Sequence, residues 1–313
     1  MQAITPVQEP TAVATREAGL EDLVGLFLRE QDITEASRAT YQRALRQFVV
    51  WLRETGRDQR MGTLQREDIL AYKESLLASK TASTVSCYLT AVRRLFGWLE
   101  SRKAYPDITR GVKGAKKAKG HRKDCLTPGQ IREALDAVDR STLEGKRDFA
   151  LLNLLFRTGL RTVEVARAQI GDLRQEAGTA VLWIQGKGRQ EKDDFVLLVE
   201  DTLLPIREYL AAREAVSEQE PLFVSVSDRN AGQALTTRSL SRVVKEAFRR
   251  VGLDDSRLTA HSCRHTAITL AVTGGASLEQ VQAMARHSDP KVTMVYFHNV
   301  ARVQAGAERC ISF

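Results

Sequence analysis

The chain has 313 residues, and its length and composition exclude several classes of protein. With 43% hydrophobic and 27% charged residues, it is typical of a globular protein of one large or two ordinary domains. No apolar run approaches the roughly 20 residues that cross a bilayer, so no membrane partner is expected. Residues 1–15 hold neither a basic residue nor an apolar core, which argues against a secretory signal. The four cysteines lie far apart without a CxxC pair, so we expect no disulfide framework and a cytoplasmic protein.

The net charge of +8 is concentrated in one short segment. Residues 101–124 hold nine Lys or Arg and two Asp or Glu, whereas residues 1–100 and 125–313 are close to neutral. Seven of these basic residues follow one another with no acidic residue among them: Arg110, Lys113, Lys116, Lys117, Lys119, Arg122 and Lys123. Such a run is either a solvated segment or one that neutralises phosphate groups. Its position between two neutral halves favours nucleic acid, and we take these seven side chains as candidate contacts.

The first hundred residues predict a helical module behind a disordered start. Residues 1–16 are polar, contain two prolines and are expected to be disordered. Over residues 17–104 apolar side chains recur with helical spacing, and no strand pattern intervenes. The four predicted helices centre on Leu20–Leu28, Tyr41–Leu52, Ile69–Leu77 and Val85–Leu99. Ser37 is the expected N-cap of the second helix, and the module is a four-helix domain.

Residues 105–124 interrupt this pattern and are predicted to form a basic linker between two domains. The segment contains Pro106 and three glycines, which break helical periodicity. A second domain over residues 125–313 then opens with a strong helix start. Thr127 can cap this helix, Pro128 suits its first position, and Gln130 completes a capping box.

The second domain is predicted to be mainly α, with a small antiparallel β-hairpin or sheet. An apolar helix over Asp148–Thr158 stops at Gly159. Two β-prone stretches, Thr179–Gln185 and Asp194–Val199, flank a turn at Gly186–Arg189. Further helices are predicted over residues 202–215, 238–251, 261–273, 278–286 and 290–297.

Two basic residues of the second domain lie at predicted turns. Arg161 comes shortly after the helix-ending glycine, where its guanidinium can enter a cleft; the alternative is a surface arginine paired with Glu164. Lys187 stands between two glycines at the hairpin tip and can approach a phosphate closely; the alternative is a solvated charge. Taken alone, neither residue decides between its two interpretations.

Two further pairs of polar residues lie nearer the C-terminus. His261 and Arg264 share a face at a helix start, where two basic side chains oppose the helix dipole and indicate a bound anion. His287 is followed by Tyr296 nine residues later, with one short predicted helix between them. A metal site of histidines with Cys263 lacks any zinc-type spacing, and a buried small residue is the better interpretation of Cys263. Two arginines, a lysine, two histidines and a tyrosine fit phosphoryl transfer by a tyrosine without a metal.

At these residues the chain closely resembles the tyrosine recombinases, or phage integrase family. The family signature is an Arg, a hairpin Lys, His-x-x-Arg, a His and a Tyr, with local strings such as TGLR-x-x-E and H-x-x-RHT. Six residues match it in order and spacing: Arg161, Lys187, His261, Arg264, His287 and Tyr296. The resemblance covers most of the chain, because residues 17–104 are similar to the family's SAM-like core-binding domain and residues 125–313 to its catalytic domain.

The chain departs from the family pattern in three respects, one of which is that its N-terminal domain has few basic residues beyond its arginines. The family usually has Leu-Gly before its last His, and this chain has Ala285-Arg286. After the hairpin lysine the chain carries Asp193-Asp194, where the family tends to be basic and then apolar. This last departure makes Lys192 the alternative to Lys187 as the hairpin lysine.

The resemblance implies a site-specific recombinase that cleaves and rejoins DNA. Tyr296 would attack the scissile phosphate and leave a 3′-phosphotyrosine and a free 5′-hydroxyl. Arg161 and Arg264 would bind the non-bridging oxygens, and Lys187 would protonate the leaving oxygen. Since a phenol with a pKa of about 10 needs help at neutral pH, His261 would handle its proton.

The remaining implications concern orientation, partners and location. His287 would hydrogen-bond the phosphate, and Glu164 would orient its neighbours. The phosphotyrosine conserves bond energy, so no cofactor is expected. The expected partners are double-stranded DNA and three further copies of the chain, in a tetramer that exchanges C-terminal segments on the nucleoid. In that segment Val300, Val303, Ala307 and Ile311 have near-helical spacing.

The expected role is to move or resolve a mobile element. Two alternatives stay open from the sequence. One is a type IB topoisomerase, which shares the tyrosine chemistry and only relaxes DNA. The other is a catalytically silent DNA-binding protein on the same fold.

Overall fold

The computed structural model of the protein describes residues 19–116, 124–186, 188–214 and 217–312, with the backbone alone for residues 59–61. The chain divides into two units, residues 1–120 and 121–313. The predicted disordered start, residues 1–16, lies outside the described residues.

The four helices predicted for the first unit are confirmed. They are α1 (Leu20–Glu30), α2 (Glu35–Glu54), α3 (Arg66–Leu77) and α4 (Ala82–Ser101), with a short 3₁₀ segment at Asp58–Thr63. The predicted cap of α2 is wrong by three residues, because Thr34 caps this helix and its hydroxyl accepts the N–H of Ser37 at 3.4 Å. An acidic residue, Glu35, then stands in the first turn, where it complements the helix dipole. Phe27, Phe48, Tyr72 and Phe96 fill the core between the helices.

The first part of the predicted linker packs against this unit. The Tyr105 hydroxyl donates to the carbonyl of Leu64 at 2.8 Å, and Val112 is buried. Arg110 pairs with Glu100 at 2.5 Å, so part of its charge is already balanced. Lys113 and Lys116 are exposed. The other candidate nucleic-acid contacts lie outside the described residues: Lys117, Lys119, Arg122 and Lys123.

The second unit combines helices with one small sheet, as predicted. Its helices are α5 (Pro128–Asp136), α6 (Leu143–Thr158), α7 (Thr162–Arg167), α8 (Glu200–Arg213), α9 (Thr237–Arg250), α10 (Ala260–Thr273), α11 (Leu278–Ala285) and α12 (Pro290–Gln304). Short 3₁₀ segments lie at Ile170–Asp172, Asp228–Asn230 and Ala307–Cys310. The capping box at the start of α5 is present, since Thr127 and Gln130 exchange hydrogen bonds of 2.9 and 3.3 Å.

The sheet has the order β1-β2-β3 and is antiparallel throughout. Its strands are β1 (Leu173–Glu176), β2 (Thr179–Ile184) and β3 (Asp194–Leu197). The predicted β2–β3 hairpin is confirmed, with Val181 opposite Leu197, whereas β1 and the short helix α7 were not predicted. β1 has no buried residue and is polar apart from Leu173, so it has no apolar alternation to reveal it.

Two apolar clusters organise the second unit. The larger one surrounds α6, which is buried along most of its length and packs against α8 and α10. The smaller one joins α10, α11 and α12 through Ile268, Val272, Val281, Ala285 and Tyr296. Among the helices of the described residues, none is long and apolar enough to cross a membrane.

Candidate active site

Arg161 enters the site because α6 ends at a glycine. Gly159 adopts φ +62°, the left-handed region that glycine tolerates best, and the chain turns there. Arg161 then becomes the residue before α7, and its backbone N–H and Nη1 each donate to the Glu164 carboxylate at 2.7 Å. The pairing expected for a surface arginine is therefore present, but the Glu164 side chain is fully buried and Arg161 is 30% exposed. The buried carboxylate holds a guanidinium that still reaches solvent.

Arg264 binds the ends of two helices. From α10, its Nη1 donates to the carbonyl of Gly159 at 2.7 Å, and its Nη2 donates to the carbonyl of Ala285 at the end of α11. Burial, with the guanidinium groups of Arg161 and Arg286 nearby, lowers the pKa of Arg264 to about 10. The group is charged at neutral pH, and no carboxylate of the described residues forms an ion pair with it.

Tyr296 lies on α12 with its ring in the smaller apolar cluster. It is 5% exposed, and its hydroxyl shares a hydrogen bond with Nδ1 of His265. Burial raises the pKa of Tyr296 to about 12, although Arg264 opposes this shift. The hydroxyl is therefore protonated at neutral pH and can donate to His265 when the histidine proton is on Nε2.

His265 is a site residue that the sequence reasoning missed. The string H-x-x-RHT contains it, directly after Arg264, but only His261 was given a role. In the structure His261 is exposed, and its ring meets the His265 ring edge-to-face at 4.7 Å. Only the three-dimensional contact with Tyr296, 31 residues along the chain, identifies His265.

His287 is brought close to Tyr296 as expected. The two rings stack at 6.4 Å, and Nδ1 of His287 shares a 2.9 Å hydrogen bond with the buried hydroxyl of Thr293. Burial, together with Arg264, Arg161 and Arg286, lowers the pKa of His287 to about 4. The imidazole is therefore neutral at neutral pH, which suits a hydrogen-bonding role.

The two lysines considered for the hairpin are not equivalent. Lys187 lies outside the described residues. The alternative, Lys192, is described, and its Nζ is bound to Asp172 at 2.7 and 2.8 Å and to Gln169 at 2.6 Å. The ammonium group of Lys192 is thus held in an ion pair with Asp172.

Arg286 is a second residue that the sequence analysis gave no role. It caps α11 with φ +53°, a left-handed conformation that strains a non-glycine residue by about 1 kcal/mol. Its Nη2 donates to Glu164 Oε2 at 3.0 Å and its Nη1 to the carbonyl of Met284 at 2.5 Å. Burial lowers the pKa of Arg286, while Glu164 opposes the shift.

A cavity of about 510 Å³ opens beside these arginines. Its walls include Arg161, Glu164, Arg286, His287 and Ser288. Asp193 and Asp194 also line it, and Arg189 pairs with Asp193 at 2.5 Å. Tyr296 lines a different cavity of about 340 Å³. Among the described residues, Tyr296 therefore does not line the cavity that Arg161 and Arg286 line.

Cys263 is not part of the polar cluster. It is fully buried in the large core, and burial strongly raises the pKa of its thiol. The interpretation of Cys263 as a small core residue therefore fits the structure.

Comparisons with known proteins decide the family. A sequence model of the phage integrase family matches residues 124–302, and a model of the phage integrase N-terminal SAM-like domain matches residues 25–103. The chain belongs to the phage integrase family. It is a tyrosine recombinase, an enzyme of DNA strand exchange.

Individual relatives agree with this assignment. The chain is 27% identical to tyrosine recombinase XerD of Listeria monocytogenes over 282 residues, which are 89% of this chain and 93% of the relative. The structure of the XerH site-specific recombinase in a post-cleavage complex with palindromic difH matches 92% of this chain and 85% of that one. Its TM-score is 0.73 at 20% identity. A lambda integrase tetramer on a Holliday junction has a TM-score of 0.67 at 14% identity, with 91% and 79% of the two chains covered. At such identities the two structures show a shared fold.

Proposed function

We propose that this recombinase cleaves and rejoins specific DNA sites through a 3′-phosphotyrosine at Tyr296, and that it moves or resolves a mobile element. The observation that carries the proposal is the convergence of Arg161, Arg264 and His287 beside Tyr296, with an open cavity next to the arginines. Family membership supports strand exchange, and the arrangement of these side chains supports the covalent route.

The arginines stabilise the charge that develops in the reaction. When the tyrosine oxygen bonds to phosphorus, the non-bridging oxygens gain negative charge before the bond to the 5′-oxygen breaks. Arg161 presents a partly exposed guanidinium on the cavity, and Arg264 holds a positive charge without a carboxylate of the described residues bound to it. Such groups favour the charged transition state over the diester.

His287 contributes a hydrogen bond to the phosphate. Its low pKa keeps the ring neutral, and a Thr293 hydroxyl that donates to Nδ1 leaves the ring proton on Nε2. Nε2–H then donates to a non-bridging oxygen. Glu164 orients Arg161 for the same oxygens through its two hydrogen bonds.

Two protons have to move in this scheme. The phenol proton of Tyr296 leaves as the oxygen–phosphorus bond forms, and the leaving 5′-oxygen gains a proton as its bond breaks. We assign the first transfer to His261, whose ring adjoins His265, and the second to Lys187. His265 holds the hydroxyl before DNA is bound.

The partners follow from surfaces of the described residues. Lys113 and Lys116 are exposed and, with the rest of the basic linker, bind phosphates without reading sequence. At the C-terminus, Val303 is 72% and Ile311 62% exposed, so these apolar side chains are not buried in their own unit. We propose that they dock on the next protomer of a tetramer. On the second unit, an apolar cavity of about 640 Å³ beside Phe195, Leu197 and Met284 is the acceptor.

The proposed function is tested by covalent capture. A pool of nicked duplexes with a random central sequence is incubated with the protein, and the DNA that stays attached after denaturation is sequenced. Wild-type protein is expected to capture a defined set of duplexes, and Tyr296→Phe none. Tyr209→Phe is the matched control, because Tyr209 is a buried tyrosine of the same unit whose hydroxyl accepts the N–H of Val224 at 3.2 Å.

The captured duplexes also separate the remaining alternatives. Strand exchange between two captured sites is expected, whereas relaxation of supercoils without exchange indicates a topoisomerase. A wild-type protein that captures no duplex is a silent DNA-binding protein. An adduct formed by Tyr296→Phe shows that the nucleophile is another residue.

A further inference from the structure

Arg286 occupies a backbone position that suits glycine. Its φ of +53° lies in the left-handed region, where a Cβ is unfavourable. A glycine would end α11 without this strain. The arginine therefore destabilises the helix end locally, and its side chain must contribute something that glycine does not.

The side chain of Arg286 is directed onto Glu164. It is 7% exposed, and its Nη2 donates to Oε2 of a carboxylate that is fully buried. A second bond, from Nη1 to Met284, fixes the plane of the guanidinium. Its Nε is buried without a hydrogen-bond partner among the described residues. In this conformation Arg286 contacts Glu164 while its Nε–H makes no hydrogen bond to the described residues.

Glu164 is shared between two arginines. Oε1 accepts Nη1 of Arg161, and Oε2 accepts both the Arg161 backbone N–H and Nη2 of Arg286. Oε2 is occupied by Arg286 and by the Arg161 backbone N–H, and the Arg161 side chain does not form the two-pronged pair that arginine and carboxylate usually form. Nε and Nη2 of Arg161 have no acceptor within the described part of the chain, and Arg161 faces the cavity.

Around Glu164, positively charged side chains outnumber carboxylates that are bonded to them. One carboxylate contacts two guanidinium groups, and a third, that of Arg264, lies close enough to lower the pKa of His287. Asp194 also acts on Arg286 through space. Although Asp193 and Asp194 also line the cavity, its wall of Arg161, Arg286 and His287 is suited to a phosphodiester.

We propose that Arg286 is a positioning residue for strand cleavage, which binds Glu164 so that Arg161 keeps two donors for the scissile phosphate. The proposal rests on the proposed function, since it concerns the same phosphate. Arg286 acts through Glu164 and Arg161, and its own guanidinium stays in the wall of the cavity.

The test measures single-turnover cleavage of the duplexes captured by the wild-type protein. Arg286→Met keeps the length of the side chain and removes the charge; its cleavage rate is expected to fall roughly 10- to 100-fold, as for small misplacements of a catalytic group. Duplex affinity should change less than about threefold, because base and linker contacts are untouched. Arg286→Lys is expected to recover part of the rate.

Arg286→Gly separates positioning from folding. It removes the backbone strain, which offsets part of the loss of the buried ion pair with Glu164, so its melting temperature should be higher than that of Arg286→Met. Its cleavage rate should nevertheless fall as for Arg286→Met, and added guanidinium ion at concentrations below those that denature should restore part of it. Combining Arg286→Met with Glu164→Gln should slow cleavage no further than Glu164→Gln alone.

Arg213 supplies a matched control. Its side chain is 9% exposed and contacts one carboxylate, that of Glu220, and two backbone carbonyls, those of Pro221 and Leu222. Arg213→Met should lower the melting temperature and leave the cleavage rate unchanged. If the wild type cleaves the duplex, and Arg286→Gly and Arg286→Met cleave it at the same rate, the proposal is overturned. Absence of any adduct with the wild type overturns the proposed function instead.

Discussion

Replacing Lys192 with methionine tests whether the hairpin proton donor is Lys187 or Lys192. Nζ of Lys192 donates to both oxygens of Asp172 and to Gln169. The Asp172 side chain is 3% exposed, and its Oδ2 also accepts the backbone N–H of Gln169 at 2.7 Å. Lys192→Met would therefore leave a buried carboxylate without its counter-charge. We expect the main effect on stability and not on proton transfer.

The size of the effect follows from burial. Removing one partner of a buried ion pair costs about 3–5 kcal/mol. Lys192 is 26% exposed, so water can partly replace its ammonium, and we expect the free energy of unfolding to fall by about 2–3 kcal/mol. For a unit of this size that is a decrease in melting temperature of about 4–12 °C. The double variant Lys192→Met with Asp172→Asn should recover most of it.

The assay compares two leaving groups on a captured duplex. A 5′-oxygen must be protonated to leave, whereas a 5′-sulfur leaves as a thiolate because thiols have a pKa of about 8.5. Lys192→Met should cleave both duplexes at nearly the wild-type rate, below its melting temperature. Lys187→Met should lose cleavage of the oxygen duplex and keep that of the sulfur duplex. If Lys192→Met shows that second pattern with unchanged stability, our reasoning from the Asp172 ion pair is refuted.

Three further predictions concern the linker, the C-terminus and His287. Neutralising the linker lysines should flatten the slope of log K against log salt by about three to four units, and an unchanged slope removes the linker from the interface. The lysines to change are Lys113, Lys116, Lys117 and Lys119. Truncation after Arg302 removes exposed Val303 and Ile311, so gel shifts should show intact duplex binding and fewer tetrameric complexes; recombination at the full rate would contradict this. The pKa of His287 is about 4 when folded and about 6.5 when unfolded, so its contribution is complete above pH 6.5 and lost as the pH falls towards 4. Allowing for partial exposure, denaturation at pH 7 and 4.5 should show about 1–2 kcal/mol of loss that is absent in His287→Gln, and equal losses in both proteins would refute the shift.

Local signals made much of the fold predictable. The cap at Thr127 and the glycine at the end of α6 each act within one helical turn, so their effect is written in adjacent residues. The start of α2 was misplaced because Thr34 and Ser37 are both residue types that cap helices, and the sequence alone does not choose between them. β1 was missed because it is polar apart from Leu173, so no apolar alternation marks it, although it pairs with the adjacent strand β2.

Some site residues could likewise be predicted from local sequence, and others could not. Tyr296 and His287 could be named from their spacing, because one short helix fixes their distance. The Tyr296–His265 contact and the sharing of Glu164 by Arg161 and Arg286 depend on how α7, α10, α11 and α12 meet. Arg286 in particular stands where local rules favour glycine, so sequence reasoning could register it only as a departure.

The hydrogen bond between Tyr296 and His265 has a consequence for the cleavage of DNA outside the target sites. An enzyme that cleaves DNA with a side chain carries its nucleophile at all times. It meets a large excess of DNA that must not be cleaved. In this protein the hydroxyl is bonded to His265 and lines a different cavity from the one that the arginines form. On the proposed mechanism, this hydroxyl would have to leave His265 to reach a phosphate beside Arg161. On the same mechanism, a stray encounter with DNA would therefore meet a hydroxyl that His265 still holds.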